Sequence, residues 1–474
     1  MAESTAASLA LAAGATIDGA GNVAVRGVTH DSARVLPGWL FCCIRGARSD
    51  GHDFAQAAVG AGAVALLCDH HLDIDVTQLI VGDTRVAVGP MAAAFWGRPS
   101  FGEIDVVGVT GTNGKTTVVT LIDQILDEVG RHCEVIGTLT GPRTTPEATD
   151  LQSLLRGFVD AGADTVAMEV SSHALELHRV SGTHFRVAVF TNLGLDHLDF
   201  HGTPEKYFQA KAKLFEPSMA DTAVVNLDDV HGRLLRDAAE IDVVGYSLDQ
   251  LDSLRIEPLG STFRWRGHDV SAPISGRFNV SNVLAAAETC VVLGVDPALV
   301  ARAISTVRAP SGRFELVHGG QPFTVIVDYA HTPEGLSNLL EAARELVDGG
   351  QLQVVFGCGG DRERSKRPKM GEVACQLADR VVVTSDNPRS EDPAAIISAV
   401  TAGCSGDVTT EVDRRAAIAL ALGSARRGDG VVVAGKGHET TQTTRHRVDA
   451  FDDRVVAMEE LAALGYRPED GSDL

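Results

Sequence analysis

Hydrophobic positions fall into short β-branched runs that alternate with helical patterns from about residue 105 to the C-terminus. This alternation is typical of parallel sheets whose strands are joined by crossover helices, so the sequence predicts an α/β fold. A smaller N-terminal part has strand-like pieces at 39–44 and 63–67. The later apolar runs predict strands at 104–109, 165–170, 187–191, 223–226, 323–327, 352–356, 381–384, 408–412 and 431–434.

Two turn-forming segments, Gly97-Arg-Pro-Ser100 and Arg308-Ala-Pro-Ser-Gly312, divide these patterns. A chain of 474 residues is too long for one hydrophobic core. We therefore predict three domains. They are a small N-terminal α/β domain at 1–99, a central domain with a parallel sheet and a phosphate-binding loop at 100–309, and a C-terminal Rossmann-like domain at 310–474.

Charge and cysteine usage restrict the class of protein. The formal net charge of −22 argues against general affinity for nucleic acid, and any anionic substrate must be met by local cations. The eight cysteines include no C-x-x-C pair, which is typical of reduced thiols in a cytosol. No apolar run is long enough for a membrane span, and the N-terminus lacks the positively charged start of a signal peptide. We expect a cytoplasmic, monomeric protein without membrane insertion or nucleic-acid binding.

The run from Gly108 to Thr117 follows a predicted strand and opens an amphipathic helix. Such a loop aims backbone N–H groups at a phosphate, a lysine adds a point charge, and a threonine hydroxyl can hold Mg²⁺. The alternative is a glycine-rich turn after a buried strand, which a Gly-Lys-Thr-Thr helix start disfavours. The predicted nucleotide-binding residues here are Gly111, Thr112, Asn113, Gly114, Lys115, Thr116 and Thr117.

Polar motifs follow several other predicted strands. In open α/β sheets, ligands bind beyond the carboxyl ends of the strands, so these motifs are candidate site residues. They are Glu169-Val-Ser171-Ser172-His173, Thr191-Asn-Leu-Gly-Leu-Asp196-His197-Leu-Asp199, Asp328-Tyr-Ala-His331, Gly357-Cys-Gly-Gly-Asp361-Arg362, Asp386-Asn-Pro-Arg389 and Gly435-Lys436-Gly-His438-Glu439.

Together with Thr29-His-Asp-Ser32 and the segment 46–54, these motifs resemble the Mur ligases, the ATP-dependent amide-forming enzymes of peptidoglycan synthesis. The resemblance covers nearly the whole chain and is greatest for the member that adds the third residue of the stem peptide. It implies the substrates ATP, UDP-MurNAc-L-Ala-D-Glu and meso-diaminopimelate. Ala33, where the family usually carries arginine, and Leu177, at a substrate-contact position, depart from the family pattern.

Joining a carboxylate to an amine through an acyl phosphate brings two anions together, so cations must bridge them. Thr116 with Glu169 suits one Mg²⁺, and Glu169 with His197 suits a second. The candidate catalytic groups are Lys115, Glu169, His197 and Lys211. Each residue taken alone has an alternative role. Glu169 could be the N-cap of a helix, and His197 could be a hydrogen-bonded loop residue.

A predicted helix places Tyr207, Lys211 and Phe215 on one semi-apolar face. A lysine there can be pushed toward its neutral form and react with CO₂. The resemblance implies that Lys211 is carbamylated and positions Mg²⁺. The rival interpretation is a surface lysine whose stem lies along apolar neighbours.

The resemblance also assigns ligand contacts. It places the UDP part of the nucleotide sugar at Ser32 and residues 46–50. Contacts to the rest of that substrate fall on Thr144, Thr145, Ser171 and Arg179, and further ATP contacts fall on Asn282, Arg313 and Asp328.

A diamino acid with two carboxylates needs a guanidinium for its distal carboxylate and an acceptor for its distal ammonium. Arg389 and Glu439 suit these roles. The resemblance adds that the motif Asp386-Asn-Pro-Arg389 marks the diaminopimelate-adding enzymes of the family. The alternative for Arg389 is a surface ion pair with Glu391 or Asp392. The predicted amino-acid site consists of Arg362, Asp386, Asn387, Pro388, Arg389, Gly435 and Glu439.

Three other functions stay open at this point. A lysine-adding Mur ligase would lack the arginine of the Asp-Asn-Pro-Arg motif, and a folylpolyglutamate synthetase-like ligase shares the architecture and the phosphate loop. A catalytically inactive nucleotide-binding scaffold is the non-enzymatic alternative.

Overall fold

The computed structural model describes residues 4–46, 49–194, 196–257, 260–347 and 349–467. The predicted uridine segment 46–50 therefore lies partly outside the described residues. Contacts divide the chain into two compact units. One comprises Met1–Leu193, His197–Ser247 and Ala285–Val300, and the other Gly194–Asp196, Leu248–Leu284 and Ala301–Leu474. The first unit contains the N-terminal and central sheets, and the exact domain boundaries at 99 and 309 stay predictions.

The N-terminal part of the first unit has a five-stranded sheet in the order β2-β7-β6-β5-β4, parallel except for the edge strand β2. A separate short antiparallel pair is formed by β1 and β3. The elements are β1 (Ser4–Thr5), α1 (Ala6–Ala13), β2 (Thr16–Asp18), β3 (Ala24–Val25), β4 (Gly27–Thr29), β5 (Trp39–Cys42), α2 (Ala55–Gly60), β6 (Ala65–Cys68), β7 (Thr77–Ile80) and α3 (Thr84–Phe95).

The central part is a six-stranded parallel sheet in the order β13-β12-β11-β8-β10-β9. All five residues of β10 are buried, as expected for a parallel strand covered by helices on both faces. Its elements are β8 (Asp105–Thr110), α4 (Lys115–Glu128), β9 (Cys133–Ile136), α5 (Ala148–Asp160), β10 (Thr165–Glu169), α6 (Ser172–Glu176), β11 (Phe185–Phe190), α7 (Leu198–His201), α8 (Pro204–Ala212), β12 (Ala220–Asn226), α9 (Val230–Ala238) and β13 (Asp242–Tyr246).

A three-stranded antiparallel sheet follows, in the order β14-β15-β16. The prediction of parallel structure from residue 105 onward is wrong for this segment. In β15, buried residues alternate with exposed ones, because only one face of the sheet is covered. The elements are β14 (Asp252–Glu257), β15 (Gly260–Trp265), β16 (His268–Ala272), α10 (Arg277–Val292) and α11 (Pro297–Ala303).

The second unit contains a six-stranded sheet in the order β17-β18-β22-β19-β20-β21, parallel except for β17, and a separate hairpin. The elements are β17 (Glu315–Leu316), β18 (Thr324–Asp328), α12 (Pro333–Glu345), β19 (Leu352–Phe356), α13 (Lys366–Leu377), β20 (Arg380–Val383), α14 (Pro393–Thr401), β21 (Thr409–Thr410), α15 (Arg414–Ser424), β22 (Gly430–Ala434), β23 (Thr441–Thr443), β24 (Val448–Ala450) and α16 (Asp453–Ala463).

Short 3₁₀ turns lie at Ser32–Arg34, Gly51–Phe54, Lys213–Phe215, Leu248–Gln250 and Ile304–Thr306. Within the described ranges, we find no helix with the length and hydropathy that a bilayer crossing requires. Several helix starts follow the same local rule. Thr203 caps α8 and Thr332 caps α12, and in both cases the next residue is a proline, whose missing N–H costs nothing at a helix start.

A fully buried ion pair ties the second unit together. The Arg414 guanidinium donates to both carboxylate oxygens of Asp453, from Nε and Nη2 at 2.7 Å each. It also donates to the carbonyl oxygens of Ser385 at 3.2 Å and Ala434 at 2.9 Å. These carbonyls lie at the carboxyl ends of β20 and β22, so one arginine joins the start of α15, the start of α16 and two strand ends.

Replacing Arg414 with methionine removes one partner of this pair and leaves the Asp453 carboxylate buried without its cation. We expect Arg414→Met to lower the free energy of unfolding by about 3 to 5 kcal/mol. Urea unfolding followed by circular dichroism measures it. The adjacent Arg415, whose partners Glu459 and Glu460 lie at the surface, is the matched control. Arg415→Met should cost about 1 kcal/mol or less, and equal losses in both variants would contradict the expectation.

Candidate active site

The predicted phosphate-binding loop joins β8 to α4 in the first unit. Gly114, with φ of +85°, occupies the N-cap position of α4, and Gly111 has φ of +153°. A side chain at Gly111 would collide with the hydroxyl of Thr191. Lys115 Nζ donates to the carbonyl oxygens of Gly111 and Thr112, at 2.9 Å each. The loop, the helix start and the lysine therefore have the arrangement that the motif predicts.

The end of β11 holds this loop in place. The Thr112 amide donates to the Asn192 carbonyl at 2.9 Å, and the Asn113 amide donates to Asn192 Oδ1 at 2.9 Å. Thr191 Oγ1 donates to the Asn113 carbonyl at 2.6 Å. Sequence reasoning quoted Thr191 and Asn192 within a polar motif but gave them no role, although their place at the end of a predicted strand was a signal for one.

Thr116 and Glu169 meet as predicted. Thr116 Oγ1 donates to Glu169 Oε1 at 3.0 Å, and the Thr138 amide donates to the same oxygen at 2.8 Å. Glu169 is the last residue of β10 and is buried, whereas the side chain that caps α6 is that of Ser171. The alternative of Glu169 as a helix N-cap is therefore wrong. A hydroxyl and a carboxylate are hard oxygen ligands, and this donor set fits Mg²⁺.

Lys211 is buried on α8, and so is Tyr207 on the same face. Lys211 Nζ donates to the Gly111 carbonyl at 2.8 Å and lies 4.5 Å from the centre of the Tyr207 ring. The alternative of an exposed, solvent-directed lysine is therefore wrong. The Gly111 carbonyl thus accepts hydrogen bonds from both candidate lysines of the site.

His197 belongs to a group of rings that sequence reasoning did not foresee. Its backbone is left-handed, with φ of +54°, and its exposed ring lies 4.7 Å from that of His173 and 6.1 Å from that of Tyr207. His201 contacts the Ser172 hydroxyl at 3.0 Å through Nε2. Burial is the main cause that lowers the pKa of His201, with the charge of His197 acting in the same direction. The signal for this cluster was the presence of a histidine in each of two polar motifs, His173 in one and His197 in the other.

Thr145 and Ser171 lie beside Glu169. Thr145 Oγ1 donates to the Glu169 carbonyl at 2.9 Å and accepts from the Ser171 amide at 3.1 Å. Thr144 and Thr138 share a hydrogen bond of 3.1 Å between their hydroxyls. The structure thus brings these predicted substrate residues together around the end of β10.

Arg179 extends this group toward a buried carboxylate. Its Nε lies 2.9 Å from Glu147 Oε1, and Arg143 and Arg85 also pair with Glu147. Burial is the main cause that lowers the pKa of Arg179, and Glu147 opposes it. Arg85, Arg143 and Glu147 were not assigned from sequence. The predicted contact Ser32 starts a 3₁₀ turn of the N-terminal part and is half-buried.

The remaining predicted ATP contacts belong to the second unit. Arg313 lies over the Tyr329 ring, with 4.6 Å between its guanidinium carbon and the ring centre. Asp328 accepts from the amides of Phe314 at 2.6 Å and Ala330 at 2.7 Å. Burial raises the pKa of Asp328, while Arg313 and these amides oppose the shift. Asn282 is buried in α10, where its Nδ2 donates to Asn279 Oδ1 at 3.4 Å.

The predicted amino-acid residues of the second unit surround the loops after β19, β20 and β22. Arg389, with φ of +51°, donates from Nη1 to the Gly360 carbonyl at 2.9 Å. Glu391 instead pairs with Arg367 and Arg364, and hydrogen bonds from Arg367 are the main cause that lowers its pKa to about 2. Asp392 caps α14. The alternative of an ion pair between Arg389 and one of these carboxylates is therefore wrong.

Asn387 and Glu439 are in direct contact, since Asn387 Nδ2 donates to Glu439 Oε2 at 2.6 Å. Asp386 is buried, which raises the pKa of its carboxyl, and a side chain at Gly435 would contact it. Pro388 is also buried, whereas Arg362 is exposed on the loop after β19. Lys436, which sequence reasoning quoted within its motif without a role, contacts both Asn387 and Glu439.

Three family models match successive parts of the chain. The model for the Mur ligase family catalytic domain matches residues 24–93, the Mur ligase middle domain matches 109–290, and the glutamate ligase domain of Mur ligases matches 312–437.

Relatives match over nearly the full length. A protein of Syntrophomonas wolfei named UDP-N-acetylmuramoyl-L-alanyl-D-glutamate--2,6-diaminopimelate ligase is 46% identical, over 92% of this chain and 94% of its own length. A protein of the same name from Geobacillus kaustophilus is 43% identical, over 94% and 96%. A solved structure with that name aligns with a TM-score of 0.69 and 33% identity, covering 95% of this chain and 98% of its own.

The close approach of Gly111 to Thr191 gives a test of the nucleotide site. In Gly111→Ala the added methyl group forces the loop to move, and with it the carbonyl that both lysines contact. We expect nucleotide affinity to fall roughly tenfold or more, because strain of this kind costs about 1 to 3 kcal/mol. Titration with a fluorescent ATP analogue measures the affinity.

Gly130 provides the matched control, because it also has a positive φ, of +79°, and open space around its missing side chain. Gly130→Ala should lower stability by about 1 kcal/mol and leave nucleotide affinity unchanged. If both variants bind the analogue as the unmodified protein does, the loop is not the nucleotide site.

Proposed function

Because this chain belongs to the Mur ligase family, we propose that it joins meso-2,6-diaminopimelate to UDP-MurNAc-L-Ala-D-Glu in an ATP-dependent reaction. The observation that carries this proposal is the name shared by relatives at 40 to 46% identity over more than nine tenths of the chain. The sequence-based predictions of family, three-domain α/β fold and ligase activity are confirmed at this level. Cytoplasmic location and a monomeric state stay predictions.

The first step of the proposed reaction converts the substrate carboxylate into an acyl phosphate, from which phosphate can later leave. The substrate carboxylate attacks the γ-phosphorus of ATP, a C–O–P linkage forms, and ADP departs. Lys115 and the N-terminus of α4 neutralise phosphate charge, which lowers the repulsion between the two anions. Thr116 and Glu169 would hold Mg²⁺, which supplies further charge neutralisation at the phosphate oxygens.

In the second step the amino group of the incoming amino acid attacks the acyl carbon. The C–N bond forms, phosphate leaves, and the amine loses a proton. Arg389 would pair with the distal carboxylate and Glu439 with the distal ammonium of diaminopimelate, since leaving either group unpaired is costly. Lysine carries no distal carboxylate and gives Arg389 no partner, which favours diaminopimelate over the lysine-adding alternative.

For Lys211 we propose the carbamate that the family resemblance implies. The ammonium first loses a proton. The neutral amine then attacks the carbon of CO₂, an N–C bond forms as one C=O π bond opens, and the nitrogen releases a second proton. A carboxylate-like anion thus replaces a cation. The position of Lys211 supports the proposal, because its buried nitrogen lies against the phosphate-binding loop at Gly111. The anion would serve as a further oxygen ligand, beside His197, for Mg²⁺.

We expect activity to fall in CO₂-depleted buffer and to return when bicarbonate is added. Lys211→Ala should be nearly inactive and partly rescued by short carboxylic acids, which replace the missing anion. Phosphate release measures both effects. Full activity without CO₂, or an alanine variant that works unaided, would rule out the carbamate.

For Arg389→Ala we expect the specificity constant for diaminopimelate to fall by the equivalent of about 2 to 4 kcal/mol, as for other charge pairs broken on one side. Steady-state kinetics with varied diaminopimelate measures it. Arg364, an exposed arginine of the same unit, is the control, and Arg364→Ala should leave these kinetics unchanged. Similar constants for both variants would argue against an Arg389–carboxylate contact.

One experiment tests the function as a whole. The protein is incubated with ATP, Mg²⁺ and UDP-MurNAc-L-Ala-D-Glu, and diaminopimelate, lysine or glutamate is offered separately. We expect a product only with diaminopimelate, identified by its mass. A product with lysine alone would favour the lysine-adding ligase. In a parallel reaction a folate replaces the nucleotide sugar and glutamate is offered, and activity there alone would favour a folylpolyglutamate synthetase. No ATP consumption in any of these reactions would favour an inactive scaffold.

A further inference from the structure

Lys436 is a fully buried lysine in the loop that follows β22. It lies between Gly435, with φ of +116°, and Gly437, with φ of +52°, so both neighbours occupy left-handed backbone that glycine adopts without strain. A buried ammonium costs several kcal/mol unless partners compensate it. The polar groups that contact Lys436 Nζ therefore indicate the role of this buried lysine.

The ammonium of Lys436 has three polar contacts. Nζ donates to the Thr441 carbonyl at 2.6 Å, to Glu439 Oε2 at 3.3 Å and to Asn387 Oδ1 at 3.4 Å. The first contact anchors the lysine to the start of β23. The other two join it to residues of the proposed amino-acid site.

These contacts fix the orientation of the Asn387 amide. Its Oδ1 accepts from the Thr443 backbone N–H at 2.8 Å as well as from Lys436. A backbone N–H can only donate, so Oδ1 must face β23 and the amide nitrogen must face Glu439. Asn387 Nδ2 accordingly donates to Glu439 Oε2 at 2.6 Å.

Two donors, the amide of Asn387 and the ammonium of Lys436, thus meet one oxygen of Glu439. In the part of the chain that the structure describes, the hydrogen bonds of the Glu439 carboxylate fall on Oε2 and none falls on Oε1. The Glu439 side chain is 30% exposed, whereas that of Lys436 is 0% exposed. A ligand can reach the glutamate but not the lysine.

We propose that Lys436 is a positioning residue that anchors Glu439 through Oε2 and so presents Oε1 to the distal ammonium of the incoming amino acid. This inference rests on the proposed function and extends it to a residue that cannot touch the substrate. A carboxylate oxygen held in place in this way can accept a charge-assisted hydrogen bond from an ammonium ligand.

The test compares Lys436→Met, Lys436→Gln, Glu439→Gln and the double variant Lys436→Met/Glu439→Gln by steady-state kinetics. We expect Lys436→Met to raise the KM for diaminopimelate about tenfold, equivalent to roughly 1.4 kcal/mol. The KM values for ATP and for the nucleotide sugar should stay unchanged. Because the lysine acts through Glu439, the double variant should be no worse than Glu439→Gln alone.

Lys436→Gln keeps a donor but not the charge, so its KM for diaminopimelate should fall between those of the unmodified protein and Lys436→Met. The control is Lys369→Met, the same substitution at an exposed lysine of α13, which should change none of the constants. Circular dichroism and thermal unfolding check that each variant is folded.

Three results would overturn the inference. They are an unchanged KM for diaminopimelate in folded Lys436→Met, effects of the two substitutions that multiply in the double variant, or loss of the fold in both Lys436 variants, which would make the role structural. Failure of the proposed function is distinguishable, because then the unmodified protein itself forms no product with diaminopimelate.

Discussion

Burial of the main parallel strands on both faces is the constraint from which the rest of the structure follows. A strand such as β10 or β22, with every residue buried, has no place for an unpaired polar side chain along its length. Polar groups therefore lie at the strand ends or beyond them. Glu169 is the last residue of β10, and Gly435 and Lys436 follow β22. The candidate site residues of each sheet therefore lie at the carboxyl ends of its strands.

In the first unit, this edge is organised around the Gly111 carbonyl, which accepts from Lys115 and Lys211. One lysine comes from the helix that follows the loop and the other from α8, about a hundred residues later. An acidic chain thus brings two lysine side chains together where the motif predicts phosphate. Local charge, rather than the net charge of −22, governs what this edge can bind.

The sequence predicted the strands well because continuous apolar runs bounded by turn residues have few other solutions. The predicted strand 352–356 agrees with β19 residue for residue, and most others end within a few residues of the observed bounds. The antiparallel segment 252–272 was missed, since its one-sided alternation carries a weaker signal than a run buried on both faces.

Within the site, residues in motifs could be predicted, whereas residues that act through distant partners could not. Thr116 and Glu169 follow from the phosphate-loop motif and the strand end. Glu147, which gathers three arginines, and Lys436, which fixes Asn387, depend on neighbours far along the chain that no local pattern reveals. Geometry also removed alternatives that the sequence left open, such as the pairing of Arg389 with Glu391.

The buried Arg414 has a consequence for how selectivity in this unit can change. Because one guanidinium binds the backbone where the Asp386 loop and the Gly435 loop both originate, neither loop can shift its origin without disturbing the other. New amino-acid preferences are therefore more accessible through exchange of side chains at the loop tips than through insertions or deletions near the strand ends. Arg414 therefore fixes the starting positions of both loops relative to each other.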